Sequence, residues 1–156
     1  FSKNPLNLRD KFLEKVKITD LIKINFEKFN KDKKLNINKT PKNNEPEIIY
    51  KDEIMYALGN IIQNAIFYSR KFVTVELNYN KKNVKITITD DGSGFSKEII
   101  DKLGEPYISK NNQGMGLGIF IAKNLIVNMG GNLAFYNSKD DKAVVEITFD
   151  NSILNI

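Results

Sequence analysis

The chain has no cysteine, no histidine and no tryptophan, and only two of its 156 residues, Arg9 and Arg70, are arginine. Without cysteine there are no disulfides and no thiolate metal ligands. Without histidine there is no imidazole base, no histidine zinc site and no phosphohistidine on this chain. No apolar run approaches the roughly 18 residues that span a bilayer, and no signal-peptide pattern opens the sequence. The scarcity of arginine also bears on the net charge of +5. Sequence-specific nucleic-acid readers lean on arginine, whereas the lysines here are scattered among Asn, Asp and Glu. The charge therefore reads as a solvated surface, with no nucleic-acid partner expected, and it suits a polyphosphate ligand. The first residue is Phe1 rather than Met, so the chain reads as a fragment of a longer protein.

What is present suffices for one domain. Apolar residues make up 41% and charged residues 28% of the chain, which supports a core and argues against disorder. Residues 1–17 read as a linker or the end of an upstream helix. Leu21, Ile22, Phe26 and Phe29 recur at helical spacing and predict a helix over 18–29. "KLNIN" alternates like a strand, "KTPKNNEPE" is a loop, and "IIY" is a second short strand.

The strongest helix signal runs over 51–69, with Ile54, Leu58, Ile61, Ile62 and Ala65 on one face. "FVTVELNY" and "VKITIT" alternate and are joined by "NKKN" as a hairpin. Ser96 fits the N-cap of a short helix through Leu103, with Glu98 in its first turn. A glycine-rich loop over 104–118 leads into a helix from Leu117 to about Asn128, with Leu117, Ile121, Leu125 and Ile126 expected on its buried side. "GG" at 130–131 ends it. "NLAFYN" and "AVVEITF" form a closing hairpin, and 151–156 reads as a C-terminal tail. Helices alternating with mostly antiparallel hairpins predict a two-layer α/β sandwich.

Three polar clusters interrupt this apolar frame. Asn60, Asn64 and Tyr68 are four apart and form a stripe along the long helix. Asparagine is a mediocre helix former. Its amide oxygen is a hard ligand suited to Mg²⁺, which commonly takes one or two protein ligands plus phosphate oxygens and water. A solvated stripe is the plain alternative.

The second cluster is "DDGSGF", Asp90 to Phe95. A carboxylate at a strand end can accept a hydrogen bond from an exocyclic amine such as that of adenine. Gly92 and Gly94 would let backbone approach a flat ligand, although an acidic-glycine turn needs no ligand. The third cluster is "GMGLG", Gly114 to Gly118, opening a helix. Free N–H groups and the helix dipole there make an anion site. No "GK[ST]" follows, so it is not a Walker loop.

The order of these clusters resembles the GHKL superfamily, named for gyrase, the Hsp90 chaperone, histidine kinases and MutL. "NIIQNAIFYS" resembles its N box, "DDGSGF" its first glycine box, "EPYISK" the motif after it and "GMGLG" its second glycine box. The resemblance covers roughly residues 18–149. It implies the Bergerat ATP-binding fold, a mixed and mostly antiparallel sheet backed by three helices, with a catalytic ATP-binding domain over 18–150 and ATP beneath a lid. It also implies roles. Asn64 is the Mg²⁺ ligand and Asn60 lies one turn earlier. Asp90 is the adenine acceptor, with Gly92 and Gly94 shaping the pocket. Tyr68 is a nucleotide contact, and Gly114, Gly116, Leu117 and Gly118 frame lid and phosphates.

The branch follows from chemistry. Hydrolytic members place a glutamate at the Asn60 position to activate water, and an amide cannot take a proton. Asn60 therefore favours the histidine kinases, in which the accepting histidine sits on a separate dimerisation domain of the same protein, upstream of a response regulator. Two departures stand out. Many kinases have lysine at the Phe67 position, for which Lys110, Lys71 or Arg70 would substitute, with Lys110 taken as catalytic. Many also have an acid where Gln63 stands. "GNIIQNA" with "GEPYISK" resembles the RegB/PrrB sensor kinases. The resemblance implies a cytoplasmic domain of an inner-membrane-anchored bacterial sensor, itself making no membrane contact. A nucleotide-binding pseudokinase and an anti-sigma-factor serine kinase are the rival readings.

Overall fold

A computed structural model of the chain describes residues 14–30, 32–103 and 115–156. In chain order the elements are β1 (Lys15–Lys17), α1 (Ile18–Phe29), β2 (Lys34–Thr40), β3 (Glu47–Ile49), α2 (Asp52–Tyr68), β4 (Phe72–Tyr79), β5 (Asn83–Asp90), α3 (Lys97–Leu103), α4 (Met115–Asn128), β6 (Asn132–Asn137), β7 (Ala143–Asp150) and α5 (Asn151–Leu154).

The main sheet has the order β2-β4-β5-β7-β6. β2 runs parallel to β4, and every other pairing in it is antiparallel. The parallel pair arises because the chain crosses over through α2 between β2 and β4. Period-2 alternation sends Val73, Val75 and Leu77 of β4, Val84, Ile86 and Ile88 of β5, and Val145, Ile147 and Phe149 of β7 to the inner face. The register lines them up in rows, with Val75 beside Ile88 beside Val145, and Leu77 beside Ile86 beside Ile147. The outer face carries Thr74, Glu76, Lys85, Thr87 and Glu146, so the fold stops at two layers.

The three long helices cover the inner face, with α2 central and packed against both α1 and α4. Ile54, Leu58, Ile61, Ile62 and Ala65 are all buried, as their spacing requires. Asn25 is buried between α1 and α2, where its Nδ2 donates to the carbonyls of Leu21 at 3.0 Å and Met55 at 3.3 Å. The buried Glu45 carboxylate accepts the Thr19 amide at 3.0 Å and the Thr19 hydroxyl at 2.8 Å, so a distant loop satisfies the start of α1.

Three expectations change. Residues 15–17, read with the linker, form β1, which pairs antiparallel with β3. Residues 151–154, read as tail, form a helical turn whose Leu154 is fully buried. The buried side of α4 is Ile119, Ala122 and Ile126. Leu117 is 46% exposed instead, and Ile121 and Leu125 are half-buried, because the helix is apolar nearly all round and periodicity cannot choose its inner stripe.

Candidate functional site

Positions 60, 63, 64, 67 and 68 lie on one face of α2, at spacings of three and four. The first turn of α4 faces them. Together they line a cavity of about 330 Å³, formed by Asn60, Gln63, Asn64, Phe67, Tyr68, Leu117, Gly118 and Ile121. Five expected site residues, Asn60, Asn64, Tyr68, Leu117 and Gly118, thus meet in one place. Gln63, Phe67 and Ile121 join them without having been assigned to the site. The signal that could have found Gln63 and Phe67 was the helical spacing of the asparagine stripe itself.

The Asn60 amide is oriented by its own helix. Its Nδ2 donates to the Tyr56 carbonyl at 3.1 Å, one turn back. Its Oδ1 then faces α4, 3.8 Å from where a Cβ on residue 118 would lie. Asn60 and Asn64 therefore put two neutral side-chain amides in the cavity. The walls are aromatic and aliphatic. Phe67 is 74% exposed and meets Tyr68 edge-on at 4.7 Å between ring centroids, an apolar surface of the kind that accepts a flat ring. Among the described residues, no lysine, arginine, aspartate or glutamate lines this cavity.

Asp90 lies outside that lining but adjoins it. It continues the inward row Val84, Ile86, Ile88 of β5 and pairs across the ladder with Val73. A carboxylate thus occupies a core position and is only 4% exposed. Burial pushes its pKa from the ordinary 3.8 up to about 6. The Gly92 amide, donating to Oδ1 at 2.8 Å, and the Lys142 and Lys33 cations pull the other way, while Asp91 adds to the rise. Burying an acid at a hydrophobic register position costs free energy unless it serves a ligand or a network. Among the described residues only the Gly92 amide bonds to it, and that bond uses Oδ1 alone.

The neighbouring Asp91 does different work. Its carboxylate accepts the Arg70 amide at 2.7 Å and the Lys71 amide at 3.0 Å, and its own N–H donates to Phe72 at 3.2 Å. It ties the glycine turn to the segment leaving α2. Burial opposes ionisation here too, but the backbone N–H groups prevail and hold the Asp91 pKa below its ordinary value.

The glycines of this turn answer to the protein before any ligand. A Cβ on Gly92 would come within 2.1 Å of the Tyr68 carbonyl, and one on Gly94 within 2.3 Å of the Asp141 carbonyl. Gly94 also has a φ of +86°. The first contact is what joins Asp90 to the cavity, since Tyr68 lines it. Gly116 lies in the first turn of α4. Gly114 and Lys110 lie outside the described residues. Arg70 and Lys71 do not line the cavity; both are exposed, and their backbones serve Asp91.

The sequence profile described as histidine kinase-, DNA gyrase B-, and HSP90-like ATPase matches residues 50–153, which holds α2, the Asp90 turn and α4. The chain belongs to that family. Its fold class and its nature as an ATP-binding catalytic domain follow. The sensor histidine kinase RegB of Cereibacter sphaeroides is 34% identical over 107 residues, covering 62% of this chain and 23% of that protein. Sporulation kinase B of Bacillus subtilis is 30% identical over 109 residues, covering 66% of this chain and 26% of its own length. The chain thus spans about a quarter of the length of these two relatives. Among solved structures, the mycobacterial sensor histidine kinase MprB superposes with a TM-score of 0.70 at 21% identity, over 88% of this chain and 97% of that one, which supports the fold. No described helix is long and apolar enough to cross a membrane.

Proposed function

We propose that the chain binds Mg-ATP and donates the γ-phosphoryl group to a histidine on the dimerisation domain of the same full-length sensor kinase, which then serves a response regulator. The observation that carries this reading is the asparagine pair in a cavity that no carboxylate lines among the described residues. Hydrolysis needs a base to activate water, and Asn60 offers only an amide. A cavity that binds nucleotide without such a base suits transfer to an acceptor brought from outside. The absence of histidine from the chain agrees with an outside acceptor.

In this reading the Asp90 carboxylate accepts from the adenine amine, and Phe67 and Tyr68 flank the base or ribose. The oxygen-donor set fits Mg²⁺: two amide oxygens from one helix face leave room for phosphate oxygens and water. Asn64 is the assigned ligand, with Asn60 beside it. The ion, when bound, supplies charge neutralisation at the phosphates. The first turn of α4 would offer N–H groups to them, with Gly116 and Gly118 in that turn and Gly114, outside the described residues, assigned beside them. Lys110 is the cation assigned to the transferring group. The rest of the chain's contribution is positioning. We place the domain in the cytoplasm, as part of a sensor anchored in the inner membrane.

The test is to incubate this chain with γ-labelled ATP and Mg²⁺ beside the separately produced histidine-bearing hairpin of the full-length protein. Acid-labile label on the hairpin is expected. Release of inorganic phosphate without labelling would overturn the kinase reading in favour of hydrolysis. Binding with neither transfer nor hydrolysis would favour a nucleotide-binding module.

A further inference from the structure

The Asp90–Phe95 turn is held from beneath by a segment that no site motif includes, the turn between β6 and β7. Contact is made at three points. The Asn137 side chain pairs with Phe95 as a strand would, its Oδ1 accepting the Phe95 amide and its Nδ2 donating to the Phe95 carbonyl, both at 2.8 Å. Gly94 sits against the Asp141 carbonyl with no room for a side chain. The half-buried Lys142 ammonium donates to the carbonyls of Gly92 at 3.2 Å and Asp91 at 3.4 Å.

The base of this clamp is itself closed. Ser138 N–H donates to the Lys142 carbonyl at 2.8 Å, Asp141 N–H to the Ser138 carbonyl at 2.9 Å, and Lys142 N–H to the Ser138 hydroxyl at 3.1 Å. The lysine stem therefore starts from a fixed backbone. Its ammonium meets the two carbonyls directly after Asp90.

We infer that Lys142 is a positioning residue for nucleotide recognition: from the β6–β7 turn it holds the Asp90–Gly92 backbone and sets a positive charge beside the adenine-accepting carboxylate. The inference rests on the ATP-binding reading above and adds to it a residue 52 positions from Asp90. Among the described residues, the charged groups facing Asp90 are Asp91 on its own turn, Lys142, and Lys33 from the segment before β2. Lys33 is already committed to the end of α2, where its ammonium meets the carbonyls of Ser69 and Arg70. Among the described residues, Lys142 is the cation whose ammonium bonds to the Asp90 turn itself.

The experiment is calorimetric titration of this chain with Mg-ATP from pH 5 to pH 8, on wild type, Lys142→Met and Lys142→Arg. Binding needs the ionised carboxylate, so it is present above the Asp90 pKa and falls as pH drops through it. Removing the neighbouring cation raises that pKa further, so Lys142→Met moves the fall-off to higher pH and weakens binding about tenfold at neutral pH. Lys142→Arg restores the wild-type profile. A Lys142→Met profile that superimposes on wild type, or one uniformly weakened with an unmoved midpoint, overturns the assignment and leaves ATP binding intact. A wild-type chain that binds no ATP at any pH overturns the ATP-binding reading and this inference with it.

Discussion

The Tyr68 carbonyl lies 2.1 Å from the place a Cβ on residue 92 would occupy. The last residue of α2 and the second residue after β5 are thus in backbone contact, and the asparagine face of the helix is joined to the buried aspartate of the strand. Any side chain at position 92 must push them apart. Gly92→Ala should destabilise the fold by about 1–3 kcal/mol, because backbone cannot yield as a side chain can. It should weaken ATP binding more than that loss of stability explains. Urea unfolding and calorimetry on the same variant check both; unchanged stability would refute the contact.

Gly118→Ala is the contrasting case. A Cβ there meets Asn60 only at 3.8 Å, and alanine favours helix over glycine by up to ~1 kcal/mol. The variant should be as stable as wild type or more so, yet bind ATP more weakly, because the methyl enters the cavity beside the asparagine amides. A rise in melting temperature together with reduced affinity is the expected pair of results.

Asp90→Asn should trade stability against binding. The folded-state pKa of Asp90 is raised to about 6. The native state therefore holds a proton that the unfolded state has released between pH 3.8 and about 6. Stability falls as pH rises through that window, and the cost is fully present at pH 7. Replacing the acid with a neutral isostere removes it, so the variant should gain on the order of 1–3 kcal/mol at neutral pH. It should lose ATP affinity, because a neutral amide accepts from the adenine amine more weakly than a carboxylate and carries an NH₂ donor that opposes it. Wild-type affinity in Asp90→Asn would refute the adenine assignment.

Asp91 carries the opposite sign. Its pKa is held low by the Lys71 and Arg70 amides despite burial. It contributes stability that is present above the unfolded pKa and lost as pH falls through the folded one. Asp91→Ala should cost about 2 kcal/mol at neutral pH, the worth of a charge-assisted hydrogen-bond pair, and should flatten the acid limb of the stability curve. Chemical denaturation between pH 2 and pH 7 reads both adjacent aspartates in one series.

Asn64→Ala should weaken ATP binding when Mg²⁺ is present and leave metal-free binding nearly unchanged. Titration with and without EDTA separates the cases. An equal loss in both would assign Asn64 to the nucleotide rather than the ion.

Much of this architecture was legible because it rests on local periodicity. The alternation in "FVTVELNY" and "VKITIT" and the apolar face of 51–69 are properties of short segments, and each element formed where its own pattern required. The asparagine stripe was legible for the same reason: spacing of four on a helix places side chains together before any tertiary contact exists. Less legible was α4, where Leu117 faces the cavity rather than the core. A helix apolar on most sides has no preferred inner face until it meets its neighbours.

The sequence by itself determined the long helices and the strands of the main sheet, that the chain carries no histidine to receive a phosphoryl group, and that amides rather than acids stand on the helix face beside the site. Only the tertiary structure decided what each half of the aspartate pair does. Adjacent residues at a strand end point opposite ways, so Asp90 turns into the core while Asp91 turns to the backbone of Arg70 and Lys71. It also decided why residue 94 is glycine, since the carbonyl that excludes a side chain there belongs to Asp141. Contacts between residues so far apart in the chain depend on the sheet order, and no local pattern encodes that order.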